Sequence, residues 1–115
     1  MTDPTAEFFA ELERSGHEPL LEKVTCTIRF DIVDGKRKTR WLVTIDRGDV
    51  TVSRRNASAD AVVRIDRALS DRLATGRANA MSEVLRGTIA VEGAVEPMIL
   101  FQRLFPGPPL AKEKR

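Results

Sequence analysis

Few side chains in this sequence could take part in covalent chemistry. His17 is the single histidine and Cys26 the single cysteine. A histidine works as a general base only with a nucleophile or a positioned water within hydrogen-bond reach, and no motif links one to His17. It follows Gly16, a helix-stop residue, and precedes Glu18, so it reads as a helix-end histidine favoured by the helix dipole. Cys26 stands mid-strand in the alternating apolar run Val24, Cys26, Ile28, Phe30, Ile32, where a thiol is an inert core residue rather than a nucleophile. No glycine-rich phosphate loop, metal-ligand cluster or nucleophile-elbow sequence appears. Asp and Glu pairs are plentiful, but each sits on a face that needs charge for solubility. The residues predict no catalysis, no metal and no cofactor.

The chemistry left is apolar. The stretch EPMILFQRLFPGPP, residues 96 to 109, predicts a terminal helix. Plotted at about 100° per residue, its apolar side chains Pro97, Met98, Leu100, Phe101, Leu104 and Phe105 cover an arc of roughly 160°. A surface helix needs a stripe of only about 100°. Three readings account for the excess: a well-buried core helix covered by the Pro106-Gly107-Pro108-Pro109 tail, a dimer contact, or the wall of an internal apolar cavity. The residues of this helix leave all three open.

The rest of the chain must position it. A length of 115 residues suits one domain with one core. Hydrophobic residues at 42% and charged residues at 31% are an ordinary globular balance. Asp3-Pro4 starts a helix that carries Phe8, Phe9 and Leu12 on one side and stops at Gly16. From Val24 the period becomes two, and Asp34-Gly35 turns the chain into a second strand with Trp41, Val43 and Ile45 on one side. Arg47-Gly48-Asp49 turns it again into a strand carrying Val50 and Val52, which completes an antiparallel meander. Ala61, Val63 and Ile65 mark a fourth strand. A helix capped by Asp66 turns Leu69 and Leu73 inward, and one capped near Asn79 points Met81, Val84 and Leu85 one way before Gly87. Thr88 to Glu92 is a brief fifth strand. The predicted class is α+β, a largely antiparallel sheet with helices on its apolar face.

Charge argues against nucleic acid. The net charge is +2, with 19 basic and 17 acidic residues interleaved, whereas nucleic-acid binders gather basic charge on one face, often with aromatics. The densest basic run, Lys36-Arg37-Lys38-Thr39-Arg40, reads as a solvated hairpin tip that could brush anionic headgroups. A lone cysteine and the lack of a targeting or membrane-spanning pattern fit a reducing cytoplasm.

Three stretches together resemble the sterol carrier protein type 2 family, and in particular its short, stand-alone bacterial members: GHEPLLEKVTCTIRFDIVDG, WLVTIDRGDVTVSRRNASADAVVRID and LATGRANAMSEVLRGTIAVEGAVEPMILFQRLFPGPP. The resemblance implies a five-stranded sheet with helices over one face around an apolar tunnel. It also implies non-covalent binding of a sterol, fatty acid or acyl-CoA, with transient membrane contact. By position, the implied lipid-binding surface comprises Phe9 and Leu12 of the first helix, Phe30, Trp41 and Val43 of the sheet, and Leu73, Met81 and Leu85 of the short helices. Met98, Phe101, Leu104 and Phe105 close it. The alternative is a solid-core dimerisation or interaction module of the same fold. Two positions depart from the family's habit: Cys26 stands where glycine is common, and Ala94 where Asp would cap the terminal helix. The departure at Ala94 implies a helix that lifts more easily.

Overall fold

A computed structural model describes residues 3–105. The strands are β1 (Thr25–Asp34), β2 (Arg37–Asp46), β3 (Asp49–Ser53), β4 (Ala61–Asp66) and β5 (Ala90–Gly93). The helices among the described residues are α1 (Pro4–Ser15), α2 (Arg67–Ala74), α3 (Ala80–Arg86) and α4 (Glu96–Phe101), with 3-10 turns at Pro19–Leu21 and Gln102–Leu104. They form one five-stranded sheet in the order β3-β2-β1-β4-β5.

Local chemistry explains the helix ends. The Asp3 side chain accepts from the Ala6 N–H, Asp66 from Ala68, and Asn79 from Ser82, so each expected cap satisfies a donor left free at a helix start. Gly87 closes α3 in the left-handed conformation, φ 83°. The terminal helix is shorter than its apolar run: α4 ends at Phe101 and tightens into the 3-10 turn. Its cap is corrected as well. Val95, not residue 94, occupies that position, with no side-chain hydrogen bond, while the Ala94 N–H is tied to the Asp60 carbonyl at 2.9 Å. The Pro106–Pro109 tail lies outside the described residues.

The sheet is mixed. The β1–β2–β3 meander is antiparallel as expected, and β5 pairs antiparallel with β4. Strand β4, however, crosses beyond the meander to lie parallel to β1, with Phe30 beside Val63 and Ile32 beside Ile65. This register sets the inner faces of β1 and β4 next to each other, and residues 28, 30, 32, 61, 63 and 65 are all buried in the core.

Alternation is broken once on the outer face of β1. Asp31, expected to face solvent, is 1% exposed. Arg29 folds over it, donating from Nε to Oδ1 at 3.0 Å and from Nη2 to Oδ2 at 3.2 Å. Its cross-strand neighbour Arg40 approaches to 3.7 Å. Arg40 thus leaves the basic tip to compensate a buried charge, as a desolvated carboxylate requires, and Lys36, Arg37 and Lys38 remain exposed.

Candidate binding cavity

All six aromatic residues of the chain join in one set of ring contacts. Phe9 of α1 meets Phe30 of β1 at 5.2 Å between centroids, and Phe30 meets Phe101 of α4 at the same distance. Phe8 stacks on Phe105 at 4.6 Å with an interplanar angle of 14°. Offset and edge contacts of this kind add to area burial, and here they join α1 and α4 to Phe30 in the middle of the central strand.

Beside this cluster the helices do not close onto the sheet. A cavity of about 360 Å³ lies between the inner faces of β1, β4 and β5 and the helices α1 to α4. Its sheet wall is Phe30, Ile32, Val63, Ile65 and Val91; its helical walls include Phe8, Phe9, Leu73, Ala80, Met81, Val84 and Met98. Ile89 and Phe105 complete it. No lining residue is charged, and the polar ones are Thr5, Ser70 and Gln102. Val95 and Ile99, exposed at 57% and 41%, also line it, so the hollow reaches the surface beside α4. The volume falls in the range of small-molecule sites, about 300–1,000 Å³.

Two clefts are larger and chemically unlike it. One of about 600 Å³ runs along α1 past Glu7, Glu11 and Glu18. The other, about 430 Å³, lies at the β1–β2 hairpin among Arg37, Lys38, Arg54 and Arg67. Charged rims suit neither to an apolar guest, so wall chemistry outweighs size.

Six of the twelve residues expected on the lipid-binding surface border the cavity: Phe9, Phe30, Leu73, Met81, Met98 and Phe105. Val43 and Phe101 are fully buried in the packed core behind it. Leu12 and Leu104 face the acidic cleft. Trp41 lines the basic cleft instead, stacked on Phe9 at 4.8 Å, with the Arg54 guanidinium 4.2 Å from its ring. Leu85, expected to point inward with Met81 and Val84, is 81% exposed. The helix is turned so that Ala80 and Glu83 face inward, and the Glu83 Oε1 accepts from the Thr88 hydroxyl at 2.6 Å. Sequence reasoning missed Ile32, Val63 and Ile65 as wall residues. Their alternation was visible, but the pairing of β4 with β1 that gathers them was not.

The histidine and cysteine lie away from the cavity. His17 Nδ1 sits 2.8 Å from Asp49 Oδ1, and this hydrogen bond raises its pKa above the ordinary 6.5. Cys26, near the start of β1 rather than mid-strand, is half-buried, and burial pushes its thiol pKa up. A raised pKa disfavours the reactive thiolate. The described residues contain no group of three side chains able to hold a metal ion, and none of their helices is long and apolar enough to cross a membrane.

An uncharged hollow between a sheet and its helices has the form of a small-molecule site. The chain belongs to the SCP-2 sterol transfer family, whose model matches residues 7–106. Among the curated proteins, no sequence match is found. Solved structures carry the same fold. A palmitated sterol carrier protein 2-like 2 from Aedes aegypti is 14% identical with a TM-score of 0.72, over 94% of this chain and 98% of that one. Sterol carrier protein 2 of the same mosquito, in complex with the C16 fatty acid palmitate, is 20% identical with a TM-score of 0.69, over 92% of this chain and all of that one. The fold also recurs in a sec-alkyl sulfatase, at 19% identity and a TM-score of 0.66, where the match covers 86% of this chain but only 16% of the enzyme.

Proposed function

We propose that the chain is a single-domain, non-catalytic carrier that holds a sterol, fatty acid or acyl-CoA in the cavity under α4. The observation that carries this reading is the uncharged hollow of about 360 Å³ that reaches the surface at Val95 and Ile99. Family membership and the palmitate held by two mosquito relatives support it. Phe9, Phe30, Leu73, Met81, Met98 and Phe105 are the predicted residues in position to touch the guest, joined by Ile32, Val63, Ile65 and Val84.

Burial alone suffices for affinity. Each methylene removed from water contributes roughly 0.8 kcal/mol, so a chain of about sixteen carbons gains on the order of 12 kcal/mol. Lost motion offsets several of those, which leaves binding near the micromolar range or tighter. Met81 and Met98 keep the wall adaptable. Exposed Val95 and Ile99 give the mouth an apolar surface suited to brief contact with a membrane. A free thiol at Cys26 suits a reducing cytoplasm, and the likeness of the sequence to bacterial family members suits a bacterial source.

Native mass spectrometry of freshly purified protein, followed by lipid extraction, tests the reading. The expected result is one lipid bound per chain. Folded, delipidated protein that takes up no sterol, fatty acid or acyl-CoA overturns it in favour of an interaction module.

A further inference from the structure

The cavity is apolar except at Gln102 and where two hydroxyls meet. Thr5 of α1 and Ser70 of α2 both line it, and both are buried, at 4% and 8% exposure. Their protons can be placed. Thr5 Oγ1 lies 2.7 Å from Asp71 Oδ1, and a carboxylate accepts but does not donate. The threonine hydroxyl therefore donates to Asp71. Asp71 is held in place by the Thr5 N–H at 3.3 Å and by Arg67 Nε at 3.4 Å. Ser70 Oγ is 2.8 Å from Thr5 Oγ1. Since the only proton on Thr5 is already engaged, Ser70 must donate to it. What Ser70 has left is lone pairs.

We propose that Thr5, Ser70 and Asp71 form a hydrogen-bond acceptor site at the buried side of the cavity, which selects a lipid ending in a hydroxyl over the same lipid ending in a carboxylate. The proposal rests on the carrier reading and names the headgroup class of that site. An alcohol O–H entering the cavity donates to Ser70 Oγ and completes the relay from guest to Ser70, Thr5 and Asp71. A carboxylate brings only acceptors. It would meet lone pairs head-on, and no cation lines the cavity to offset this; the Asp71 charge behind them is itself paired with Arg67. A fatty acid must then bind reversed, its carboxylate toward Gln102 on the turn after α4. A buried polar group left unpaired carries a larger penalty than a paired one gains, so the discrimination is one-sided.

The test compares dodecan-1-ol, dodecanoate and dodecyl methyl ether on delipidated protein at neutral pH, by displacement of a fluorescent lipid. Wild-type protein should bind the alcohol about tenfold more tightly than dodecanoate, and the ether, which cannot donate, should lose about five- to tenfold against the alcohol. Ser70→Ala should cost the alcohol about the same factor and so narrow its preference over dodecanoate. In Thr5→Val the hydroxyl that holds the Ser70 proton is gone, so Ser70 can present that proton to the guest; the preference should fall to about threefold or less. Thermal melting checks that each variant folds. Equal binding of alcohol and carboxylate by wild-type protein overturns the proposal, as does a preference that survives Ser70→Ala. If Ser70→Ala fails to fold, an ether that binds as tightly as the alcohol overturns it without any variant. Binding of none of the three by folded wild-type protein defeats the carrier reading itself, and the acceptor site with it.

Discussion

The indole of Trp41 lies flat against the ring of Phe9, centroids 4.8 Å apart and planes 15° from parallel. Phe9 borders the cavity; Trp41 does not. The tryptophan is therefore one ring removed from any guest, with Arg54 and the basic cleft as its other surroundings. Its emission should shift only slightly when lipid binds. Phe105→Trp in a Trp41→Phe background places the fluorophore on the wall, and lipid titration should change its emission several times more. A larger response from Trp41 than from Trp at 105 contradicts the assigned wall.

Volume can be removed from the hollow without harming the fold. Val84→Phe adds bulk at a half-buried wall position, where empty space receives the ring. Lipid affinity should fall at least about tenfold, with a stability change under about 1 kcal/mol. Ile28→Phe, at a fully buried site that does not border the cavity, is an overpacking change and should cost about 1–3 kcal/mol. Thermal melts with lipid titrations separate the two.

Protonation of His17 ties the end of α1 to β3. Its pKa is raised above 6.5 chiefly by the hydrogen bond to Asp49, with Glu22 at 3.9 Å adding to it. A raised folded-state value means stability that is fully present below 6.5 and is lost as pH rises through the folded pKa. Asp49→Asn should therefore lower the melting temperature at a pH of about 5.5 and change it little at a pH of about 9. An equal loss at both values places the stabilisation elsewhere.

Gly93 ends β5 at φ 91°, and a Cβ there would overlap the Asp60 carbonyl oxygen. That same carbonyl accepts from the Ala94 N–H just before α4. Gly93→Ala should cost at least about 1–3 kcal/mol through strain and shift the helix that covers the cavity. Denaturant unfolding gives the energy, and amide exchange in residues 96–101 should speed up with it.

What the sequence made legible follows from what each signal encodes. Period-two alternation identified Phe30, Val43, Val63 and Ile65 as inner-face residues, because burial on one face leaves that mark. Caps at Asp3, Asp66 and Asn79 were readable because capping is local. Strand order is not local, so the parallel partner of β1 was invisible, and Val63 and Ile65 were missed as cavity wall. Charge misled twice. Asp31 looked solvent-facing until Arg29 and Arg40 enclosed it, and α3 turns Glu83 inward while Leu85 stays outside. Trp41 stood on the lipid-binding surface that the family resemblance implied for inner-face strand positions, and such a position does not distinguish the first layer around a hollow from the second.

The crossing of β4 to the far side of β1 bears on how the chain reaches its native state. The meander can zip through neighbouring turns, but β1 waits for β4 until β2, β3 and the following loop have all been made. Pairings so distant along the chain are slow to close. During synthesis the apolar side of β1 stays uncovered and its second edge unpaired over that interval, an arrangement prone to sticking to other chains. A chaperone, or an early encounter with a fatty molecule, would be of most use to the nascent protein at that stage.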